Sequence, residues 1–310
     1  MKTSACLTSL SRSIAVALLL LPAARSAGAQ DDPMAGAVPA VVDVRNDPHL
    51  RAACERYEFD TWPKGVARAG LALAALDFDG YRGEPLELEP GGMITRHYNR
   101  VTGEGSTLEG AGVLVESTVA DTVEAAHRQL LAYLAFVSSP KTLPTTAASG
   151  IAAGDHGYVG FSGAGPDRIA WIAFVRGNVA VRLVCLDPRE RAYPDLRTMA
   201  RHIDAAIEKM PALERGSYPP RPAIHRLAAT ANVCRAGETV GLDVQVIDPL
   251  GGEPVLRWEI GGPGQGYVEK NSEGGLALTT TAPGTLRLTL FAAGSNGPQT
   301  SRSLTIEVVK

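Results

Sequence analysis

The sequence predicts two domains: an α+β domain, built as an antiparallel sheet with packed helices, followed by an all-β sandwich. Three observations lead there. Apolar residues recur at helical spacing in two segments upstream of residue 211 and in none downstream. Gly216-Ser217-Tyr218-Pro219-Pro220-Arg221-Pro222 sets three prolines in four positions, which cannot continue a helix and favour an extended spacer. Beyond it, short alternating runs recur between Gly, Pro and Asn turns. The expected division is residues 46–215, a linker at 216–222, and 223–310.

The chain opens on a segment of export-signal type. Lys2 and Arg12 supply positive charge, residues 14–21 are uninterruptedly apolar, Pro22 closes the run, and Ala27-Gly28-Ala29 offers small residues for cleavage. Residues 1–29 are therefore expected to be a signal peptide cleaved near Ala29, the apolar run being shorter than the roughly 20 residues a bilayer span needs. A secreted or periplasmic protein without a membrane span follows. Residues 30–45 are expected to be a disordered mature N-terminus.

Composition narrows the class. Of 310 residues, 45% are hydrophobic and 20% charged, enough to bury one or two cores. Losing Lys2, Arg12 and Arg25 with the signal takes the net charge from -3 to -6, which excludes the electrostatic footprint of a nucleic-acid binder. Cys6 leaves with the signal. Cys54, Cys185 and Cys234 remain, and at most one intrachain bridge can form. Cys54–Cys185 is the expected pair because both fall in the first domain; three buried thiols are the alternative.

In the first domain, residues 121–138 read as a helix, with Asp121 and Glu124 in a capping-box pattern and Val123, Ala126, Leu130, Leu134 and Val137 on one face. A second helix over 195–210 carries the stripe Leu196, Met199, Ile203, Ile207 and Met210, and Pro211 stops it. Between them, residues 169–176 and 179–185 form a hairpin across Gly177-Asn178. That register pairs Arg176 with Val179, Phe174 with Val181 and Ile172 with Leu183. It places Ile172, Phe174, Val181, Leu183 and Cys185 on a core-facing side, and Trp171, Val184 and Leu186 alongside Arg182 on a partly covered side. Further strands are expected at 93–101, 112–119 and 158–162. The order helix, three strands, long C-terminal helix resembles the Mog1/PsbP-like layout of small binding domains, a topological likeness from which no function follows.

In the second domain, strands are expected at 240–247, 255–260, 276–281, 286–292 and 303–309. Asp248-Pro249 with Gly251-Gly252 makes a tight turn, and Trp258 alternates with Leu256 and Ile260, so all three should point inward. With Ala282-Pro283-Gly284 at a late strand entry, residues 223–310 resemble the PKD/cadherin-like Ig family. The resemblance implies an Ig-like sandwich used in recognition or as a spacer. Where the family usually carries further acidic residues, this chain has Ala292-Ala293-Gly294-Ser295-Asn296. That argues against a calcium site, and no cofactor is expected.

Candidate chemistry is sparse. Gly160-Phe161-Ser162-Gly163-Ala164 invites comparison with a nucleophile elbow, yet Ala164 stands where that motif needs glycine, and Gly165-Pro166 points to a loop. None of the six histidines sits in His-Glu-x-x-His or at i, i+4 from another. Asp155, His156 and Ser162 are the only residues that assemble into a catalytic set on paper. Asp77 and Asp79 flank Phe78 in a loop better read as a solvated turn than a metal site, and Gly262-Pro263-Gly264-Gln265-Gly266 lacks the strand-to-helix context of a phosphate loop. Tyr57, Trp62, Tyr81, Tyr98 and Trp171 are the candidates for a sugar-stacking surface.

The expected function is that of an exported, non-catalytic binding or interaction protein. Its first domain would hold a protein, an envelope component or a small ligand, and its Ig-like module would act as spacer or adhesion element. A secreted hydrolase using Asp155, His156 and Ser162, and a structural assembly protein, are the alternatives.

Overall fold

A computed structural model describes residues 47–101, 107–137, 141–146, 150–162, 168–186, 195–271 and 274–310. The expected signal peptide, the expected disordered N-terminus and Gly163-Ala164 lie outside the described residues. In chain order α1 (Pro48–Arg56) precedes β1 (Tyr81–Gly83), β2 (Glu87–Leu88), β3 (Ile94–Val101), β4 (Thr107–Val119), α2 (Val123–Phe136), β5 (Lys141–Pro144), β6 (His156–Phe161), β7 (Ile169–Arg176), β8 (Val179–Cys185) and α3 (Leu196–Lys209). Then come β9 (Ala223–Ala229), β10 (Val233–Arg235), β11 (Thr239–Ile247), β12 (Val255–Gly261), β13 (Gln265–Lys270), β14 (Leu276–Ala282), β15 (Gly284–Ala293) and β16 (Gln299–Val309). Two 3₁₀ turns, Phe59–Thr61 and Leu73–Ala75, lie between α1 and β1.

The β7–β8 hairpin has the register that alternation dictates, with Arg176 opposite Val179, Phe174 opposite Val181 and Ile172 opposite Leu183. Gly177 takes φ 56 at the first turn position, and an added Cβ there would meet the Val66 carbonyl at 2.1 Å, so only glycine fits. Asn178 is fully buried and joins three segments: its amide nitrogen donates to the Ala120 carbonyl at 2.8 Å and its oxygen accepts from the Arg68 N–H at 2.6 Å.

Around this hairpin grows an eight-stranded antiparallel sheet in the order β1-β3-β4-β8-β7-β6-β5, with β2 also paired to β3. Ile172, Phe174, Val181 and Leu183 face one core, onto which α3 lays Leu196, Met199, Ile203 and Ile207. Full burial of each such side chain stabilises by about 1.5–3 kcal/mol. Trp171, Ala173 and Val175 face the other core, under α1 and α2. There Glu116 and Arg182 form an ion pair, with the guanidinium 4.5 Å from the Tyr133 ring centroid.

Two four-stranded sheets complete the described residues, β10-β16-β15-β12 and β13-β14-β11-β9. They share one apolar core, with Val240, Leu242 and Leu278 from one sheet and Leu286, Leu288, Ile306 and Val308 from the other. Pairing within them is antiparallel except between β10 and β16, which run parallel. The described residues fall within one compact unit. The β15–β16 loop is seated against the segment between α1 and β1: the Leu71 N–H donates to the Asn296 carbonyl at 3.0 Å, and Gly70, at φ +144, leaves no space for a Cβ beside that oxygen. Arg221, inside the proline stretch, pairs with Asp121 and donates to the Gln299 carbonyl.

Four expectations change. The N-cap of α2 is Thr122, whose Oγ1 accepts from the Ala125 N–H at 3.1 Å; Asp121 is drawn away by Arg221. Leu256 is exposed, because β12 is an edge strand with neighbours on one side only; Trp258 and Ile260 do pack on the shared core. Cys54 and Cys185 belong to cores on opposite faces of the sheet, which separates them, and no disulfide joins them among the described residues. Helix α1 was not anticipated, although Asp47 caps it by accepting from the His49 and Leu50 N–H groups and Pro48 opens it.

Candidate functional site

The three residues of the paper triad occupy opposite ends of one strand. β6 spans His156–Phe161, so Asp155 and His156 stand at its start and Ser162 just past its end. Six residues at strand rise separate His156 from Ser162 by about 20 Å, far beyond proton-transfer reach. Asp155 is also committed elsewhere, accepting from Arg176 Nη1 at 3.0 Å and the Gly177 N–H at 2.6 Å. Arg176 simultaneously donates to both oxygens of Asp204 on α3. The structure does not bring Asp155, His156 and Ser162 together as a catalytic unit. Adjacency in sequence misleads here because an extended strand puts distance between near neighbours.

His156 instead joins an aromatic cluster. Its ring lies 4.5 Å from that of Trp62, tilted by 31°, and His127 of α2 meets Trp62 at 5.6 Å. Trp62 is 4% exposed, and its Nε1–H donates to the Tyr57 carbonyl at 2.7 Å. The same carbonyl accepts from the Tyr158 hydroxyl at 3.1 Å. Because that hydroxyl spends its only proton on Tyr57, the 3.2 Å contact between Tyr158 Oη and His156 Nε2 requires His156 to donate from Nε2. Burial pushes the Tyr158 hydroxyl up to about 12, so it stays protonated in this role.

Above the cluster opens a cleft of about 260 Å³ lined by Arg56, Tyr57, Glu58, Thr142, Pro144 and Tyr158. The end of α1 supplies Arg56, whose guanidinium sits 5.2 Å from the Tyr57 ring centroid. Glu58 has φ 51 and ψ 44, the left-handed conformation that a non-glycine residue adopts at a cost of roughly 1–2 kcal/mol. The Thr61 hydroxyl and N–H, both donating to the Glu58 carbonyl, hold it there. Thr142 and Pro144 come from the edge strand β5, where proline withholds the N–H a further strand would need.

The remaining candidates lie apart. Asp77 and Asp79 are exposed on either side of buried Phe78. Asp248 is buried, and its carboxylate accepts from the Leu250 N–H and from the Ser295 N–H and hydroxyl. Burial raises its pKa, but those hydrogen bonds outweigh it and hold the group below its ordinary value. It therefore staples two loops. Of the expected stacking aromatics, Tyr57, Trp62, Tyr98 and Trp171 are buried, while Tyr218 and Tyr267 are the exposed tyrosines that composition alone did not single out. No helix among the described residues is long and apolar enough to cross a membrane. No known protein family and no curated protein matches the chain.

Proposed function

We propose that this is an exported, non-catalytic binding protein that engages its ligand at the Arg56–Tyr158 cleft. The observation that carries the reading is the make-up of the cleft. A guanidinium, a carboxylate and a threonine hydroxyl surround two tyrosines, the hydroxyl of Tyr158 being fixed by the main-chain carbonyl of Tyr57. This is pre-organised recognition chemistry with no nucleophile–base pair in it. At about 260 Å³ the cleft is smaller than the usual range for drug-sized ligands, which favours a compact polar molecule or one protruding group of a protein or envelope component. The signal-type N-terminus supports export.

Residues 223–310 are read as an Ig-like module serving as spacer or adhesion element. Supporting it, the sheet β9-β11-β14-β13 facing β12-β15-β16 repeats the ABED and CFG arrangement of Ig sandwiches, with Trp258 on the strand in the C position.

Ligand-observed NMR with a panel of amino acids, small carboxylates and monosaccharides tests the binding reading. Members that bind the native chain should lose binding to Thr142→Trp, which fills the cleft, and the anionic ones to Arg56→Glu. Failure of every member to bind, or binding undiminished by Thr142→Trp, overturns the assignment of the cleft.

A further inference from the structure

Behind the cleft, Trp62 meets two imidazoles from different elements, His127 of α2 edge-on at 70° and His156 of β6 tilted by 31°. Trp62 ends the segment that follows α1, and its bond to the Tyr57 carbonyl closes residues 57–62 into a loop. This ring cluster, together with the Tyr158 hydroxyl on the Tyr57 carbonyl, pins the loop to the sheet and α2. His127 is 4% exposed, and its Nε2 is buried with no hydrogen-bond partner. A neutral imidazole tolerates such a nitrogen as an idle acceptor; an imidazolium carries two donors and needs both satisfied.

The surrounding charges are committed. On α2, Glu124 stands one turn before His127 and is paired with Lys64 at 3.0 Å. From the sheet, Asp155 gives both oxygens to Arg176 and the Gly177 N–H. Tyr158 donates to Tyr57, and Glu58 and Asp60 are exposed on the loop itself. Among the described residues, no carboxylate hydrogen-bonds either imidazole. Both rings accordingly resist protonation: burial, ahead of the opposing pull of Glu124, lowers His127, and burial, helped by His127, brings His156 to about 4.

We propose that the His127–Trp62–His156 cluster is an acid-sensitive clasp, in which protonation of the two imidazoles releases residues 57–62 from the sheet and with them one wall of the cleft. Two like charges facing one indole repel each other, and the released loop can shed the left-handed strain at Glu58. The clasp holds whatever occupies the cleft, so it stands or falls separately from the binding reading.

The indole N–H resonances of Trp62, Trp171 and Trp258 report on it in the whole chain, with Trp62→Phe identifying the first. Between pH 7 and pH 4 the Trp62 signal should move to the solvent-exposed position and exchange at least tenfold faster than that of Trp171. His127→Phe/His156→Phe should keep it in place. If that double variant does not fold, as judged by β7–β8 amide protection, His127→Gln and His156→Gln singly should each lower the pH of release. An unmoved Trp62 signal down to pH 4, the same movement with both histidines replaced, or simultaneous movement of all three indoles overturns the proposal.

Discussion

Arg176 and Asp204 form a two-point ion pair, Nε to Oδ1 at 2.7 Å and Nη2 to Oδ2 at 2.6 Å, that fastens the end of β7 to α3. Asp204 is 6% exposed, and Arg176 also reaches Asp155 and Glu208, so one guanidinium ties the hairpin, the loop before β6 and the helix. Truncating Asp204 removes the two-point partner but leaves the guanidinium paired with Asp155 and Glu208. Asp204→Ala should therefore cost about 1.5–3 kcal/mol in urea denaturation. Replacing both residues, Arg176→Met with Asp204→Leu, should cost less than the single change. A single-mutant loss under about 1 kcal/mol would show that the pair is screened like a surface bridge.

Stability should fall on acidification. His127 and His156 are depressed by burial in the folded chain, so the unfolded chain takes up protons first as pH drops through about 6.5. Folding loses up to about 1.4 kcal/mol per pH unit for each such ring. For His156 the loss levels off near pH 4, where the folded form protonates too. Urea midpoints at pH 7, 6, 5 and 4.5 measure the slope, and His156→Phe should flatten it. A slope identical to the native one would assign the acid sensitivity to other groups.

Gly70 lies where the β15–β16 loop packs on the segment between α1 and β1. With φ +144 and an added Cβ 2.2 Å from the Asn296 carbonyl, Gly70→Ala has neither the conformation nor the space it needs. It should destabilise by about 2–3 kcal/mol in thermal melts. Gly80→Ala, at φ +79 but with open space around it, should cost only about 1–2 kcal/mol. Equal losses would mean that conformation, and not the seated loop, sets the penalty.

Thr122 and Asp121 can be told apart by substitution. Thr122→Ala removes the cap of α2 and should cost about 1 kcal/mol, recovered in large part by Thr122→Ser. Asp121→Ala leaves the cap and removes a partly exposed ion pair to Arg221, worth at most about 1 kcal/mol and weakened by salt. Chemical denaturation at low and high salt separates the two effects.

Much of the architecture was legible where a single period rules a segment. The β7–β8 register follows from strict alternation around Gly177-Asn178, and α3 from the spacing of Leu196, Met199, Ile203 and Ile207. Helix α1 was legible in its Asp47-Pro48 entry but not in its pattern, since Leu50 and Ala53 are its only buried residues. The short strands β1, β2, β5 and β10 carry too few residues for a period to emerge. The cluster at the cleft was legible only in fragments. Tyr57 and Trp62 stood among the aromatic candidates and His156 among the catalytic ones, but their meeting depends on α1, α2 and β6 converging across the sheet. Distance along the chain carries no trace of it.

The parallel pairing of β10 with β16 has a mechanical consequence. Tension applied at the C-terminal end of β16 runs along the strand, so the bonds joining Val233, Cys234 and Arg235 to Glu307, Val308 and Val309 are loaded together in shear. On its other side the full length of β15, from Gly284 to Ala293, is loaded in the same way. Bonds strained in parallel yield as a group, whereas an unzipping hairpin breaks them singly. Pulled from that end, residues 223–310 would resist to a high force and then give way at once.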